Sequence, residues 1–301
     1  MNGIHGILCI DKPEGFTSFD VVAKLRGIAK TRKIGHGGTL DPMATGVLPL
    51  FLGGATKACD RLPRQDKRYT ATFRLGITTD TLDRTGTVLR EREVSATLRD
   101  VEAAALAFVG KSSQLPPMYS AVQVNGVRLY DLARQGVEVQ RTPREIEIHS
   151  ITFLGGNPDT REYIIDIHCS KGTYVRSLCH DIGEKLGCGA TLTALRRTLS
   201  CGFSLEHCIT LPEAQALADA GRLRERLLPV EAAFSALPRL ELDRKQSRLL
   251  QNGVRLDAAG LPGARPGTLA VYGPGAVFLG LAKVQDGRVK VEKLFVREAV
   301  Q

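Results

Sequence analysis

The chain has 301 residues, of which 43% are hydrophobic and 24% charged, and its formal net charge is +9 at pH 7. This length and composition predict a soluble, folded protein with one large and one small domain, and they exclude a disordered or fibrous chain. No stretch approaches the roughly 20 apolar residues of a membrane-spanning helix, and the excess of positive charge indicates a polyanionic partner.

Cysteine usage and the N-terminus predict the compartment. Seven cysteines, an odd number spread from Cys9 to Cys208, argue against a disulfide framework in a chain of this size. The apolar patch near the N-terminus is interrupted by Asp11 and has no basic leader before it, so we interpret it as a buried strand rather than a signal peptide. We therefore expect a reducing, cytoplasmic location.

The first predicted elements are a strand over Ile7–Ile10, a turn KPEGFTS and a helix. Thr17 and Asp20 have the spacing of a capping box. Apolar residues then recur at helical spacing, namely Val21, Val22, Leu25, Ile28 and Ala29. We expect the helix to end near Lys30. Lys12, beside a proline and a glycine turn, is either a surface residue or a ligand of a phosphate or of a backbone carbonyl.

A glycine-rich loop, Ile34–Leu50, presents one carboxylate, Asp41. Pro42 biases Asp41 toward extended backbone, and the loop contains no second Asp or Glu, so a carboxylate pair is not encoded locally. Two interpretations stay open: an Asp-Pro turn between two strands, and a single acid that acts as nucleophile or base. A basic run leads into the loop, where it would hold phosphates beside the acid, and consists of Lys24, Arg26, Lys30, Arg32 and Lys33.

After this loop the pattern predicts strands at Val47–Leu52 and Tyr69–Leu75 and a helix over Ala96–Val109. Tyr69 is either core filler or a stacking platform for a base, since Lys67 and Arg68 precede it. The following segment, Met118–Arg144, mixes arginines with tyrosines, which is typical of an RNA-facing insertion. A solvated helix and loop is the alternative.

Alternation predicts a further strand over Tyr163–Ser170, in which His168 and Cys169 point to opposite faces and so cannot bind one metal. The sequence lacks Cys-x-x-Cys spacing, and we expect no metal site. Next comes a helix with Thr173 as N-cap and Gly187 as its C-terminal stop, whose apolar stripe is Val175, Leu178, Cys179, Ile182 and Leu186.

Arg176 lies in the first turn of that helix but off its apolar stripe. The helix dipole disfavours a cation there, so the residue indicates either a functional site or an ordinary salt bridge. Leu195, farther along, reads as a core residue from the pattern alone.

From Pro238 onward the chain changes to short β-like runs separated by Gly and Pro turns, which predicts a small β-barrel domain. This part holds eleven Lys or Arg against six Asp or Glu, an excess of five positive charges in about a fifth of the chain.

Seven blocks together resemble the bacterial-type tRNA pseudouridine-55 synthases of the TruB family. The central one is GHGGTLDPMATGVLPL. The others, in chain order, are KPEGFTS, KRYTATFRLG, TDTLDRTG, QLPPMYSAVQVNGVRLYDLARQG, CSKGTYVRSLCHDIG and LTALRRTLSCGF. Two positions depart from the family pattern: Gly37 stands where a threonine is usual, and Cys201 replaces the usual glycine.

The resemblance implies an α+β pseudouridine synthase fold, a mixed and mostly antiparallel sheet flanked by helices. It implies a catalytic domain over 1–235, with an RNA-gripping insertion at about 117–145, and a PUA-like RNA-binding domain over 236–301. The partner implied by the resemblance is the T-arm of tRNA. It implies no cofactor and no obligatory protein partner, and we expect a monomer.

The resemblance also assigns individual residues. Asp41 corresponds to the catalytic nucleophile, Arg176 to the arginine that pairs with it, and Tyr69 to a tyrosine that stacks on the target uracil and moves a proton. Tyr174 and Leu195 correspond to residues that line the uracil pocket. His36 corresponds to a histidine that fills the place of the flipped base. Lys12 is included as an RNA-binding candidate.

Three hypotheses remain open from the sequence. The first is a stand-alone isomerase that converts uridine 55 of tRNA to pseudouridine, with a guide-RNA-dependent enzyme as its variant. The second is an RNA-binding or tRNA-folding protein on the same scaffold without a dominant catalytic role. The third is a phosphate-binding enzyme that uses the GHGG loop as a cradle, which is disfavoured because no helix pattern follows that loop.

Overall fold

The computed structural model describes residues 4–120, 122–124 and 126–295. It consists of a larger α+β part and a smaller β part. The strands of the larger part are β1 (Gly6–Lys12), β2 (Ile34–His36), β3 (Thr45–Leu52), β4 (Lys67–Leu75), β5 (Ile77–Thr79), β6 (Val88–Glu91), β7 (Gly110–Gln114), β8 (Gln123–Val124), β9 (Val127–Arg128), β10 (Arg144–Asn157), β11 (Glu162–Cys169), β12 (Ala190–Ser200), β13 (Phe203–Ser204) and β14 (Cys208–Ile209). Its helices are α1 (Ser18–Ile28), α2 (Leu98–Leu106), α3 (Leu129–Arg134), α4 (Val175–Lys185) and α5 (Leu211–Asp219).

Ten of these strands form one sheet in the order β14-β1-β3-β12-β4-β11-β10-β7, with β2 added to β3 and β13 added to β12. The pairs β1–β14 and β3–β12 are parallel, and the remaining pairs of this sheet are antiparallel. The predicted mixed, mostly antiparallel sheet is therefore confirmed. Its central pair, β4 and β12, joins segments that lie more than a hundred residues apart in the chain.

Alternation in the sequence located the central strands correctly. In β4 the side chains of Tyr69, Ala71, Phe73 and Leu75 are buried, whereas Arg68 on the opposite face is exposed. The buried face packs against α2 and α4 in one core. A second core lies where α1 and α5 cover β1 and β3. Helices α1, α2, α4 and α5 thus bury apolar side chains against the sheet, which removes apolar surface from water.

Helix α1 begins as its sequence predicts. The Thr17 hydroxyl accepts the Asp20 N–H at 3.0 Å, and the Thr17 N–H donates to the Asp20 carboxylate at 2.8 Å, which completes the capping box. The predicted helix over Ala96–Val109 is shorter in the structure, because Thr97 and Asp100 form a second capping box that starts α2 at Leu98.

The smaller part contains β15 (Arg239–Glu241), α6 (Arg244–Gln251), β16 (Leu256–Asp257), β17 (Gly267–Gly273), β18 (Val277–Gln285) and β19 (Arg288–Leu294). The predicted small β-barrel is present as a half-barrel, an open five-stranded sheet in the order β15-β17-β18-β19-β16. It packs on the larger part through aromatic rings: Phe278 lies 5.8 Å from Phe234 and 5.7 Å from Phe295. The same cluster includes Ile7 of β1 and Phe51 of β3.

The predicted insertion begins with the short hairpin β8–β9 and continues with α3. Its Tyr130 ring lies between two cations, with the guanidinium of Arg128 5.8 Å and that of Arg134 5.5 Å from the ring centroid. Within the ranges that the structure describes, no helix is both long and apolar enough to cross a membrane.

Candidate active site

Five of the seven predicted site residues line one cleft, namely Asp41, Tyr69, Tyr174, Arg176 and Leu195. They come from four different places: the loop between β2 and β3, strand β4, the start of α4, and strand β12. His36 and Lys12 do not line this cleft. The pairing of β4 with β12 brings Tyr69 and Leu195 together, since Leu195 pairs with Ala71 two residues after Tyr69.

An ion pair in the cleft joins Asp41 to Arg176. Arg176 Nε lies 2.9 Å from Asp41 Oδ2, and the Asp41 side chain is 39% exposed whereas that of Arg176 is 4% exposed. The carboxylate therefore opens to the cleft while its partner is buried. An acid that is both neutralised and accessible can act as a nucleophile or base toward a bound substrate.

Arg176 is held on several sides, which explains a cation in the first turn of a helix. It donates to the carbonyl oxygens of Thr81 at 2.9 Å and Tyr119 at 2.7 Å, and its Nη1 lies 3.6 Å from Asp83 Oδ2. These acceptors and two carboxylates offset the unfavourable dipole. The guanidinium has little freedom left, so it fixes where the Asp41 carboxylate points.

Sequence reasoning did not single out Asp83, which is buried behind Arg176. Its carboxylate accepts hydrogen bonds from the Thr81 hydroxyl at 2.8 Å and from the Thr85 N–H at 3.0 Å. The signal was present in the block TDTLDRTG, in which two threonines flank the acid at a spacing of two residues. An Asp in such a stretch is usually an exposed turn residue, so the pattern alone does not distinguish it.

Tyr69 is buried with its ring on the cleft side of β4. Burial raises the pKa of its phenol to about 12, and the positive charge of Arg197 opposes that rise. The phenol consequently keeps its proton at neutral pH and can donate it. Close by, the hydroxyl of Ser120 is buried, lines the same cleft and has no hydrogen-bond partner among the described residues.

Arg197 of β12 holds the Asp41 loop in place through hydrogen bonds. It is a second residue that sequence reasoning missed. Its side chain is fully buried and donates to the carbonyl oxygens of Val47 at 2.8 Å, Thr39 at 3.0 Å and Gly38 at 3.1 Å. Gly46, with φ +104°, allows this approach, because a Cβ there would lie 2.2 Å from the Arg197 carbonyl oxygen. The arginine thus ties both ends of the loop to β12.

Lys12 supports the same loop from the other side. Its ammonium donates to the carbonyl oxygens of Phe16 at 2.5 Å, Pro13 at 2.8 Å and Pro42 at 3.2 Å. The side chain is fully buried, and this burial lowers its pKa to about 8 although the negative charge of Asp41 raises it. Of the alternatives that the sequence left open for Lys12, the structure shows a side chain that binds backbone carbonyl oxygens. A phosphate contact would require these bonds to be exchanged.

His36 is half-buried at the end of β2, where it pairs with Leu50 of β3. Its Nδ1 accepts the Gly38 N–H at 3.3 Å. Burial, with a smaller effect of Arg197, lowers the pKa of the imidazole, so the ring is neutral at pH 7. It lies on the glycine-rich approach to Asp41 rather than in the cleft.

The two departures from the family pattern contact each other. Cys201 Sγ donates to the Gly37 carbonyl oxygen at 3.1 Å, and a Cβ added at Gly37 would lie 2.7 Å from that sulfur. A threonine at position 37 would therefore collide with Cys201. The glycine at one position makes room for the thiol at the other.

Thr173 is not the N-cap of α4, so that prediction was wrong. The cap is Tyr174, which makes no side-chain capping bond, and Thr173 donates instead to the Ser170 carbonyl oxygen. The capping partner comes from β7: the side chain of Gln114 accepts the Tyr174 N–H at 2.8 Å and donates to the Tyr174 carbonyl oxygen at 3.1 Å.

The GHGG loop leads into strand β3 and not into a helix, so it lacks the helix N-terminus that a phosphate cradle uses. Within the part of the chain that the structure describes, the residues that line the cleft include no cluster of three metal-ligating side chains.

Comparisons with known proteins add to this geometry. A model described as the TruB family pseudouridylate synthase N-terminal domain matches residues 26–175, and a model of the tRNA pseudouridylate synthase B C-terminal domain matches residues 176–235. A protein of Clostridium tetani named tRNA pseudouridine synthase B is 46% identical over 84% of this chain and 86% of its own length. One of the same name from Dehalococcoides mccartyi is 44% identical over 97% of both chains.

Two solved structures are also similar to this chain. The crystal structure of a Cbf5-Nop10-Gar1 complex matches with a TM-score of 0.75 and 28% identity over 97% of this chain and 85% of that one. The structure of an H/ACA RNP bound to a substrate RNA containing 2'-deoxyuridine matches with a TM-score of 0.73 and 25% identity over 98% of this chain and 86% of that one.

Proposed function

Because the chain belongs to the TruB family of pseudouridylate synthases, we propose that it isomerises uridine 55 in the T-loop of tRNA to pseudouridine, with Asp41 as the catalytic aspartate. One observation carries the proposal: the carboxylate of Asp41 lies 2.9 Å from the buried guanidinium of Arg176 and is accessible from a cleft that Tyr69 also lines. This arrangement keeps an acid charged, oriented and open to a substrate.

The reaction breaks the N-glycosidic bond of uridine, rotates the uracil and joins it to the sugar through C5. The C5 proton is released and N1 takes one up, so the product has the same formula as the substrate. No oxidant, reductant or nucleotide is formally required. Three roles for the Asp41 carboxylate fit this geometry: attack on the sugar C1′, attack on the uracil ring, and removal of a proton to give a glycal.

The other side chains of the cleft have distinct roles in this proposal. Arg176 orients the Asp41 carboxylate. Tyr69 stacks on the uracil and exchanges a proton with it, which its neutral phenol allows. Tyr174 and Leu195 line the pocket, and the unpaired Ser120 hydroxyl is available to a polar edge of the base.

The uridine must leave its stack to reach the cleft. We assign His36 to the vacated position, which its place on the approach to Asp41 supports. The segment 117–145 would grip the T-arm and residues 236–301 would bind RNA, supported by the arginine–tyrosine contacts of the first and the positive charge of the second. Residues 1–235 would be the catalytic domain, and the family models end at residue 235.

We also propose a cytoplasmic monomer that needs no protein partner or guide RNA. Activity of the purified chain on a naked tRNA transcript would exclude a guide-RNA-dependent enzyme.

Tritium release from a T-arm stem-loop labelled at C5 of uridine tests the catalytic role. We expect the wild type to release one tritium per target uridine and Asp41→Asn to release none while still binding the RNA. Asp159→Asn, which removes an exposed carboxylate in the turn between β10 and β11, should leave release unchanged. Equal release by Asp41→Asn would refute the role of Asp41, and no release by the wild type would favour an RNA-binding protein without catalysis.

A further inference from the structure

Three side chains with metal-ligating atoms converge on the face of the large sheet opposite the cleft. They are Asp66, in the segment that enters β4, His149 of β10 and His168 of β11, and one ligand atom from each lies within 4.8 Å of the others. Tyr69 points to the cleft from β4, whereas Arg68 and His168 share the outer face, since they pair across β4 and β11. The cluster is therefore separate from the active site.

The strand geometry that brings the two histidines together is a β-bulge. The register between β10 and β11 shifts between Ile148 and Ser150, so His149 is the extra residue. The shift leaves both His149 and Ser150 on the exposed face between the buried Ile148 and Ile151. Bulges redirect side chains and are frequent beside functional sites. Here the bulge sets the His149 ring 4.8 Å from that of His168.

From this arrangement we propose that Asp66, His149 and His168 form a binding site for a divalent transition-metal ion, with zinc as the reference ion. Two imidazoles and one carboxylate suit zinc, cobalt, nickel or copper rather than magnesium or calcium, which prefer oxygen ligands alone. Asp66 Oδ1 lies 3.5 Å from His149 Nε2, close to the separation of ~3.4 Å between two ligands that each lie ~2.1 Å from a tetrahedral zinc. The fourth position would hold water.

The surrounding charges favour a cation. Glu147 Oε1 lies 3.9 Å from His149 Nδ1 and adds a negative charge at the edge of the cluster. Arg68, which pairs across from His168 on this face, forms an ion pair with Asp166 at 2.5 Å, so a carboxylate partly offsets its charge. A bound ion would link the segment before β4 to β10 and β11, and it would stabilise the folded chain because the unfolded chain lacks the site.

Isothermal titration of zinc chloride into the reduced, tag-free full chain tests the site. We expect one equivalent bound by the wild type, and at least tenfold weaker binding at this position in His149→Ala/His168→Ala and in Asp66→Asn. Asp159→Asn is the control, an exposed carboxylate in the turn between β10 and β11 outside the cluster, and it should bind like the wild type. These variants keep all seven cysteines, so zinc held by thiols remains in every titration and can be subtracted.

Two outcomes would overturn the site: no binding by the wild type, or the same affinity and stoichiometry in the double histidine variant. Cobalt(II) provides a second reading, because ligation by imidazole and carboxylate gives weak visible bands whereas thiolate ligation adds an intense charge-transfer band. A cobalt spectrum that is the same in the wild type and in His149→Ala/His168→Ala, with only the intense thiolate band, would assign the ion to cysteines and refute the proposal. Thermal unfolding should shift upward with zinc in the wild type and not in the double variant.

Discussion

At the scale of single residues, the geometry of the cleft depends on buried side chains that hydrogen-bond to the backbone of the Asp41 loop. Arg197 binds three carbonyl oxygens of the chain around the loop, and Lys12 binds the carbonyl oxygen of Pro42. Both are buried cations whose hydrogen-bonding capacity goes to backbone rather than to RNA, which is how burial of such groups becomes tolerable. The carboxylate that reacts is therefore positioned by residues that need not touch the substrate.

The contact between Gly37 and Cys201 yields a prediction at this scale. Gly37→Thr should destabilise the protein by about 1–3 kcal/mol, because the new Cβ overlaps Cys201 Sγ and the packed site must distort. Cys201→Gly alone should be nearly neutral, since it leaves a small void but relieves a non-glycine residue at φ +56°. The double variant should recover most of the loss. Urea unfolding of the four proteins measures the coupling.

Cys59 supplies the control for this cycle. It also lies under the loop, but it faces Gly35 rather than Gly37, so Cys59→Ala should not rescue Gly37→Thr. Purely additive effects of the substitutions at positions 37 and 201 would show that the two departures from the family pattern are independent.

A motif named five residues that line the cleft, whereas two residues whose contacts lie far away in sequence were not named. Asp41, Tyr69, Tyr174, Arg176 and Leu195 were named in advance, and the structure gathers them in one cleft. Asp83 and Arg197 were not, because their importance arises from burial and from contacts over about a hundred residues or more. Periodicity reports only neighbours in sequence, so it cannot reveal such contacts.

At the scale of elements, the start of α4 decides where two cleft residues lie. Tyr174 caps the helix without a side-chain bond of its own, and Gln114 at the end of β7 binds both its N–H and its carbonyl oxygen. The sequence predicted the strand, the helix and its stop at Gly187, because these follow from local periodicity and turn chemistry. It did not predict this cap, which comes from 60 residues away.

Replacing that partner should therefore disturb both stability and catalysis. Gln114→Met keeps the size of the side chain but removes both hydrogen bonds, leaving the half-buried Tyr174 N–H without its Gln114 acceptor. We expect a loss of about 1–3 kcal/mol in the free energy of unfolding and a lower kcat, because Tyr174 and Arg176 share the displaced turn. Thermal unfolding and tritium release measure the two effects.

The matched control is Gln215→Met, an exposed glutamine on α5 that bonds only to Asp219 among the contacts shown. It should change stability by less than about 0.5 kcal/mol. If Gln114→Met unfolds at the temperature of the wild type and keeps its kcat, the clamp does not position the helix.

At the scale of the whole molecule, the boundary near residue 235 separates two sheets, but one apolar cluster spans it. Phe234 stacks on Phe278 of the smaller sheet, and Ile7 and Phe51 of the larger sheet belong to the same apolar cluster. The sequence predicted the change of character at Pro238 from composition and turns. It could not predict this shared core, because an apolar residue at a boundary does not reveal what covers it.

Removal of residues 236–301 should consequently do more than weaken RNA binding. It uncovers Phe234 and its neighbours, so we expect a lower unfolding temperature and aggregation in addition to a higher KM for tRNA. Differential scanning calorimetry of the full chain and the truncated chain checks this expectation. An unchanged unfolding temperature of residues 1–235 would show that the smaller domain is energetically independent.

A charge variant separates the contribution of the smaller domain to RNA binding from its contribution to stability. Lys283→Gln/Lys290→Gln alters two exposed residues that pair across β18 and β19 and leaves the shared core intact, so the unfolding temperature should stay at its wild-type value. If these lysines contact phosphates, the affinity for tRNA should fall and the slope of log affinity against log salt should decrease by about one for each lost contact. A stable variant with an unchanged salt slope would exclude this face of the smaller sheet from RNA binding. The basic residues before the Asp41 loop would then have to provide the electrostatic attraction for tRNA.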